Sequence, residues 1–200
     1  MQKFAFILYL KTCQSMSNKI ETINPATGKV IATYDNISSE EVSQKVKKAK
    51  AAFGKWGKLD ISERTAYIRS LGRVMRKNKD EYARLITEEM GKPIRQSMAE
   101  IEKCAWVCDY YADHAETFLR DELIPTEFRK SFVSFEPLGV VAGIMPWNFP
   151  FWQVMRYAVP ALTAGNVGIL KHSSVSLGSA IKSKRRSKMQ DSPRMCFNPS

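Results

Sequence analysis

At 200 residues, 44% apolar and 10% aromatic, the chain has the composition of a globular domain, which excludes a low-complexity or disordered class. The net charge of +11 does not mark a nucleic-acid binder, because seven of those charges sit at the ends: Lys3 and Lys11 before residue 19, and Lys182, Lys184, Arg185, Arg186, Lys188 and Arg194 against Asp191 after residue 180. Four cysteines (Cys13, Cys104, Cys108, Cys196) exclude a disulfide scaffold and point to reduced thiols in a cytoplasmic setting. The apolar run "FAFILYL" at 4–10 is too short to cross a bilayer and lacks a small-residue cleavage site. Residues 1–18 therefore read as a disordered extension, ahead of a start at Met16.

"ETINPATGKVIATYD" (21–35) carries apolar residues on both sides of an Asn-Pro…Thr-Gly turn, the pattern of a β-hairpin. Ser38 with Glu41 predicts a capping box, followed by Val42, Val46, Ala49 and Phe53 at helical spacing. Asp60 with Glu63 opens a second helix that buries Ile68, Leu71 and Met75. A third is expected over Lys79 to Met90, with Gly91 as its C-cap. A long helix follows Pro93. Its expected core stripe is Ile94, Met98, Ile101, Ala105, Cys108, Ala112, Ala115 and Leu119. Cys104 and Cys108 lie four apart on it, and without His or further Cys nearby they are packing residues rather than a metal site.

"SFVSFEP" (131–137) alternates like a strand of an exposed sheet, whereas "GVVAGIM" (139–145) reads as a parallel strand covered on both faces. A helix is predicted over 151–164, shortened or kinked by Pro160. "VGILK" (167–171) is a second buried strand. Strand, helix and strand make a βαβ unit, the opening of a doubly wound sheet. Such sheets bind ligands at the C-terminal ends of their strands, where Asn148 and Lys171 fall.

"PWNFP" at 146–150, with "PLGVVAGI" before it and "PALTAGNVGILK" at 160–171, resembles the aldehyde dehydrogenase superfamily. "NPATGKVIA" at 24–32 and "EEMGKPI" at 88–94 agree, so the resemblance spans about residues 19–180 in order. The string from Trp147 to Ser174 is closest to the succinate-semialdehyde dehydrogenase branch. The implied fold is α/β: the incomplete N-terminal part of an aldehyde dehydrogenase fold, with helices, hairpin elements and the start of a Rossmann-like sheet.

The resemblance also implies roles. Asn148 matches the asparagine whose side-chain amide, with a backbone N–H, stabilises the oxyanion formed on the aldehyde carbonyl. Lys171 matches the lysine that hydrogen-bonds the cofactor's adenosine ribose. Ser174 stands where many NAD-preferring members carry a glutamate, and loss of that carboxylate admits the 2′-phosphate of NADP, so the expected cofactor is NADP or NAD, with NADP favoured. Ile144, Met145, Pro146 and Trp147 match the segment lining the nicotinamide crevice. Arg156, eight residues after Asn148, matches an arginine that grips the distal carboxylate of succinic semialdehyde. Phe151 and Trp152 would exclude water from both contacts.

The expected reaction is NAD(P)-dependent oxidation of an aldehyde, most specifically succinic semialdehyde to succinate. The partner is a small aldehyde, with no nucleic acid, no membrane and no metal; a homo-oligomer is expected of a full-length member, not of a fragment. Family members are more than twice as long, and their nucleophilic cysteine and general-base glutamate come well after residue 171. Cys104 and Cys108 precede the sheet on a packed helix, and Cys196 lies too close to Lys171. After "SLGSAI", residues 181–200 form a basic tail without family pattern, as a frameshift and early stop would leave. The chain itself is therefore expected to be inactive. The alternative is a non-catalytic product that acts, if at all, by binding a partner.

Overall fold

The computed structural model describes residues 19–179. The expected extension at 1–18 and the whole basic tail at 181–200, with Cys13 and Cys196, lie outside these residues.

The Asn24-Pro25 turn is built by Asn24, whose Oδ1 accepts from the Ala26 and Thr27 N–H groups while Gly28 takes a φ of 68°. It joins antiparallel strands β1 (Lys19–Ile23) and β2 (Val30–Asp35). Helix α1 (Ser39–Trp56) opens on the expected box: Ser38 Oγ accepts from the Glu41 N–H, and Glu41 Oε2 accepts from the Ser38 N–H. Helix α2 (Ile61–Lys77) buries Ile68, Leu71 and Met75 as predicted. Helix α3 (Lys79–Met90) ends at Gly91, whose φ of 68° is the left-handed cap.

Helix α4 (Ile94–Leu119) lies at the centre and packs against α2, α3 and α5 (Trp152–Thr163). Its buried residues are Ser97, Glu100, Ile101, Cys104, Ala105, Val107, Cys108 and Ala115. The expected stripe is right in the middle and wrong at its start: Ile94 is exposed, and polar Ser97 and Glu100 hold the inward positions of the first turns. On α1, likewise, Ala49 is buried but Val42 and Val46 are exposed.

Strands β3 (Glu122–Leu123) and β4 (Phe132–Val133) form a short, exposed antiparallel pair, so only two residues of "SFVSFEP" are strand. Strands β5 (Val140–Ile144) and β6 (Val167–Lys171) pair in parallel, with α5 as the crossover. The expected double cover holds for β6, which is largely buried, and fails for β5, where Ala142 and Ile144 are exposed. Pro160 lies inside α5 without ending it.

Long-range anchors fix α5 under the strands. Trp56 Nε1 donates to the Leu162 carbonyl at 2.9 Å, and Arg64 Nε donates to the Thr163 carbonyl at 2.9 Å. These bonds tie the last-turn carbonyls of α5 to α1 and α2. Asn166 Oδ1 accepts from the Gly139 N–H, tying the start of β6 to the start of β5. Tyr157 reaches from α5 to donate to the Val141 carbonyl at 2.7 Å. The approach is close enough that a Cβ on Gly143 would stand 2.9 Å from the Tyr157 ring. Glycine is needed there for space.

Candidate active site

The pairing of Ile144 with Lys171 sets the C-terminal ends of β5 and β6 side by side. One further bond extends the ladder, from the Met145 N–H to the Lys171 carbonyl at 2.9 Å. Everything expected to touch ligand leaves the sheet at this edge. Ile144 (79% exposed) and Trp147 (56% exposed) project into solvent, Pro146 is exposed and Met145 is buried. Asn148 is exposed in the loop between β5 and α5. Arg156 is exposed on the second turn of α5.

The loop carrying Asn148 is held from below. Phe151 is 1% exposed and stacks on Tyr82, ring centroids 5.0 Å apart. Trp152 is half-buried, with Lys103 Nζ 4.2 Å from its ring centroid. Phe151 was expected to shield the reacting groups from water; its ring instead faces the helical core. The Pro146 and Pro150 bracket makes the chain turn, and the aromatic after it is pulled inward because α3 and α4 offer an apolar seat.

Beside this loop, Lys171 and Ser174 line one open depression of about 390 Å³ with Ile20, Asn36, Ile37 and His172. The structure thus brings those two expected cofactor residues together. It adds Asn36 and Ile37 from the chain after β2, which sequence reasoning missed because that contact joins segments far apart in the chain. Among the described residues, no carboxylate lines the depression. Ser173 Oγ accepts from the Val175 N–H and caps the short 3₁₀ turn Ser174–Ser176.

His172 was also missed as a structural anchor. It is fully buried; its Nε2 lies 3.0 Å from the Pro150 carbonyl oxygen and its Nδ1 3.2 Å from Ser176 Oγ. A carbonyl only accepts, so Nε2 carries a proton toward Pro150; Nδ1 faces the Ser176 hydroxyl, with the Ser173 carbonyl at 3.5 Å, and an acceptor Nδ1 toward that hydroxyl corresponds to the neutral ring. Burial lowers the imidazole below its usual pKa, in the same direction. Glu89, 2% exposed, accepts from the Gly178 and Ser179 N–H groups and from Ser179 Oγ. Burial raises its carboxyl, against the pull of those donors.

The described cysteines are far from this edge in character. Cys104 and Cys108 are buried on α4, and Cys108 Sγ donates to the Cys104 carbonyl. Burial pushes Cys108 up to about 12 and Cys104 well above its usual range, so neither presents a thiolate. Among the described residues, no group of three or more His, Cys, Asp or Glu is arranged to hold a metal, and no helix is long and apolar enough to cross a membrane.

Residues 12–198 match the profile of the aldehyde dehydrogenase family. A probable succinate-semialdehyde dehydrogenase (NADP+) of Synechocystis sp. is 48% identical over 155 residues, covering 78% of this chain and 34% of its own. A succinate semialdehyde dehydrogenase (NAD(P)+) of Escherichia coli is 40% identical over 159 residues, covering 80% and 34%. Among solved structures, succinic semialdehyde dehydrogenase from Streptococcus pyogenes in complex with NADP+ superposes with a TM-score of 0.84 at 31% identity, covering 89% of this chain and 39% of that one. The chain spans about a third of the length of the curated relatives it matches.

Proposed function

Since this chain belongs to the aldehyde dehydrogenase family, we propose that residues 19–179 supply the cofactor-binding edge and oxyanion loop of an NADP-accepting succinic semialdehyde dehydrogenase. We propose further that the 200-residue chain by itself turns over no aldehyde. The observation that carries the first reading is the adjacency of the two strand ends: Asn148 leaves β5 next to the depression that holds Lys171 and Ser174. The names of the Synechocystis and Streptococcus relatives supply the substrate and support the cofactor.

The depression suits the phosphorylated ribose of NADP. The Lys171 ammonium attracts a 2′-phosphate, Ser174 offers a hydroxyl, and no carboxylate among the described lining residues repels the added charge. When bound, the nicotinamide supplies the hydride acceptor. The chain's own residues do the rest of what is assigned here. The Asn148 amide N–H donates to the carbonyl oxygen as negative charge develops on it, and a fixed donor of this kind is worth about 3–4 kcal/mol in other enzymes. The Arg156 guanidinium takes the distal carboxylate with two parallel hydrogen bonds.

The second proposal rests on the buried, un-ionised state of Cys104 and Cys108 and on the share of the family's length that the chain spans. Reduced thiols support a cytoplasmic location, and the complete family member is expected to self-associate.

Joining residues 19–179 to the remaining length of the Synechocystis relative tests the first proposal. Arg156→Ala in that chimaera should lower kcat/KM for succinic semialdehyde by an amount worth about 2–4 kcal/mol, the scale for an unpaired buried charge. Butanal should be nearly unaffected. Asn148→Ala should depress both aldehydes alike. Equal losses for both on removing Arg156 would make it structural and remove the substrate assignment. For the 200-residue chain, NADP reduction by succinic semialdehyde that survives Cys104→Ala and Cys108→Ala would overturn its inactivity.

A further inference from the structure

Two buried carboxylates flank the turn at Gly91, Lys92 and Pro93, and neither matches an expected role. A carboxylate is rarely taken out of water unless its oxygens are partnered, so the direction of its bonds says what it does. Glu89 binds the segment that follows Ser174. Glu100, 4% exposed, binds the loop that carries Asn148. Its Oε1 accepts from the backbone N–H groups of Phe151 and Trp152, both at 3.0 Å. Its Oε2 lies 2.5 Å from Lys92 Nζ, and that ammonium sits 3.7 Å from the centroid of the Phe149 ring. His172 meanwhile holds the Pro150 carbonyl. Each residue from 149 to 152 is therefore gripped by α4, by the turn before it or by the end of β6.

We propose that Glu100, paired with Lys92, is a positioning residue for Asn148: it clamps the turn from β5 into α5 so that the Asn148 amide has one direction in which to donate. The proposal rests on the reading of Asn148 as the oxyanion donor. Packing alone does not call for an acid at this place, since an apolar side chain of similar size would fill the same space between α4 and α5. Buried ion pairs replaced in this way often leave stability unchanged or raised. What an apolar pair lacks is an acceptor for the two N–H groups. Clamping and global stability can thus be separated by experiment.

The test is amide hydrogen exchange on the 200-residue chain, read by mass spectrometry with fragmentation that resolves single amides. In the double variant Lys92→Met/Glu100→Leu, the Phe151 and Trp152 amides should exchange roughly tenfold faster or more, the scale of losing a charge-assisted hydrogen bond. Exchange in the β1–β2 hairpin and in α2 should stay within about twofold of the parent, as for a site whose loss leaves global stability in place. Glu100→Gln keeps a carbonyl acceptor and should retain most of the protection at these two amides. Unchanged exchange at 151 and 152 in the double variant would overturn the clamp. So would a rise of equal size in every segment in both variants, which is the mark of a residue that merely supports the fold. The readout does not depend on turnover. A failed clamp leaves the kinetic test of Asn148 standing, and a failed Asn148 assignment leaves the measured clamp without its purpose.

Discussion

Replacing Phe151 by alanine tests where the aromatic residues after Asn148 belong. The ring is almost fully buried, stacks on Tyr82, and shares a core with Val154, Ala158, Ile86 and Ile101. Truncating such a phenylalanine removes its transfer free energy and leaves a cavity, together about 3–5 kcal/mol. Loss of the stacked pair adds roughly 0.5–1 kcal/mol. Against a domain stability on the order of 5–15 kcal/mol, Phe151→Ala should bring the chain near its unfolding threshold. Trp147→Ala, at a side chain more than half exposed, should cost less than about 0.5 kcal/mol. Urea unfolding followed by far-ultraviolet circular dichroism at low micromolar concentration reads both. With a slope of about 2–3 kcal/mol/M, the Phe151 variant should unfold about 1–3 M urea earlier than the parent, and the Trp147 variant should coincide with it. Equal shifts for the two, or a larger one for Trp147, would refute the seating of Phe151 in the core and return its ring to the site.

The buried His172 gives a pH dependence with a definite sign. Its folded pKa is lowered, so the unfolded chain takes up the proton first; stability is full above the usual value of 6.5 and falls as pH drops from there toward the folded value. Burial raises Glu89, which acts with the opposite sign as pH climbs above its usual 4.5, so the imidazole's share is the difference from a His172→Gln chain, whose amide still donates to Pro150. Urea midpoints at pH 7.5 and 5.5 should diverge between the two chains, and parallel pH profiles would remove His172 from the account. Iodoacetamide at pH 8 should leave Cys104 and Cys108 unmodified in the folded chain and label both in urea; rapid native labelling, seen by peptide mass, would contradict their burial. Gly143→Ala would place a Cβ 2.6 Å from Met145 Cε and 2.9 Å from the Tyr157 ring, and should destabilise by about 1–3 kcal/mol. Tyr157→Ala in the same chain should recover part of the loss by opening space, and a gain from Gly143→Ala alone would show that the strand yields.

Local rules made much of the fold legible. The capping pair at Ser38 and Glu41, the Gly91 cap and the βαβ unit each follow from bonds within a few residues of one another, which a sequence displays directly. Exposure was less legible. Val42 and Val46 have the spacing of a buried face, and β5 has the apolar run of a doubly covered strand, yet both stand partly open. Periodicity says which side of an element seeks cover; it does not say that a layer is there to provide it. For the site, the chain order placed Asn148 and Lys171 at strand ends, but the partners of Lys171 around its depression come from the segment after β2 and had no local signature.

Glu100 shows what a sequence does offer about such long-range anchors. Its hydrogen-bond partners lie 51 and 52 residues later, so no motif joins them. Position 100, however, falls on the same side of α4 as Ile101, Cys104, Ala105 and Cys108, all of them buried. Three- and four-residue spacing places Ser97, Glu100 and Cys104 in one row. An acid on a row that runs on into buried Cys104 and Cys108 is either a misjudged helix face or a buried charge with an assigned partner. The row continued on both sides of it, which disfavours the first. Lys92, one residue before the proline that opens the helix, then supplies a cation within reach, and the remaining oxygen is left to seek N–H donors. The first turn of a following helix is where backbone N–H groups lack carbonyl partners. A polar residue out of pattern on a core stripe, near an opposite charge and followed by a short strand and a helix start, is thus a readable sign of a clamp on the loop between them.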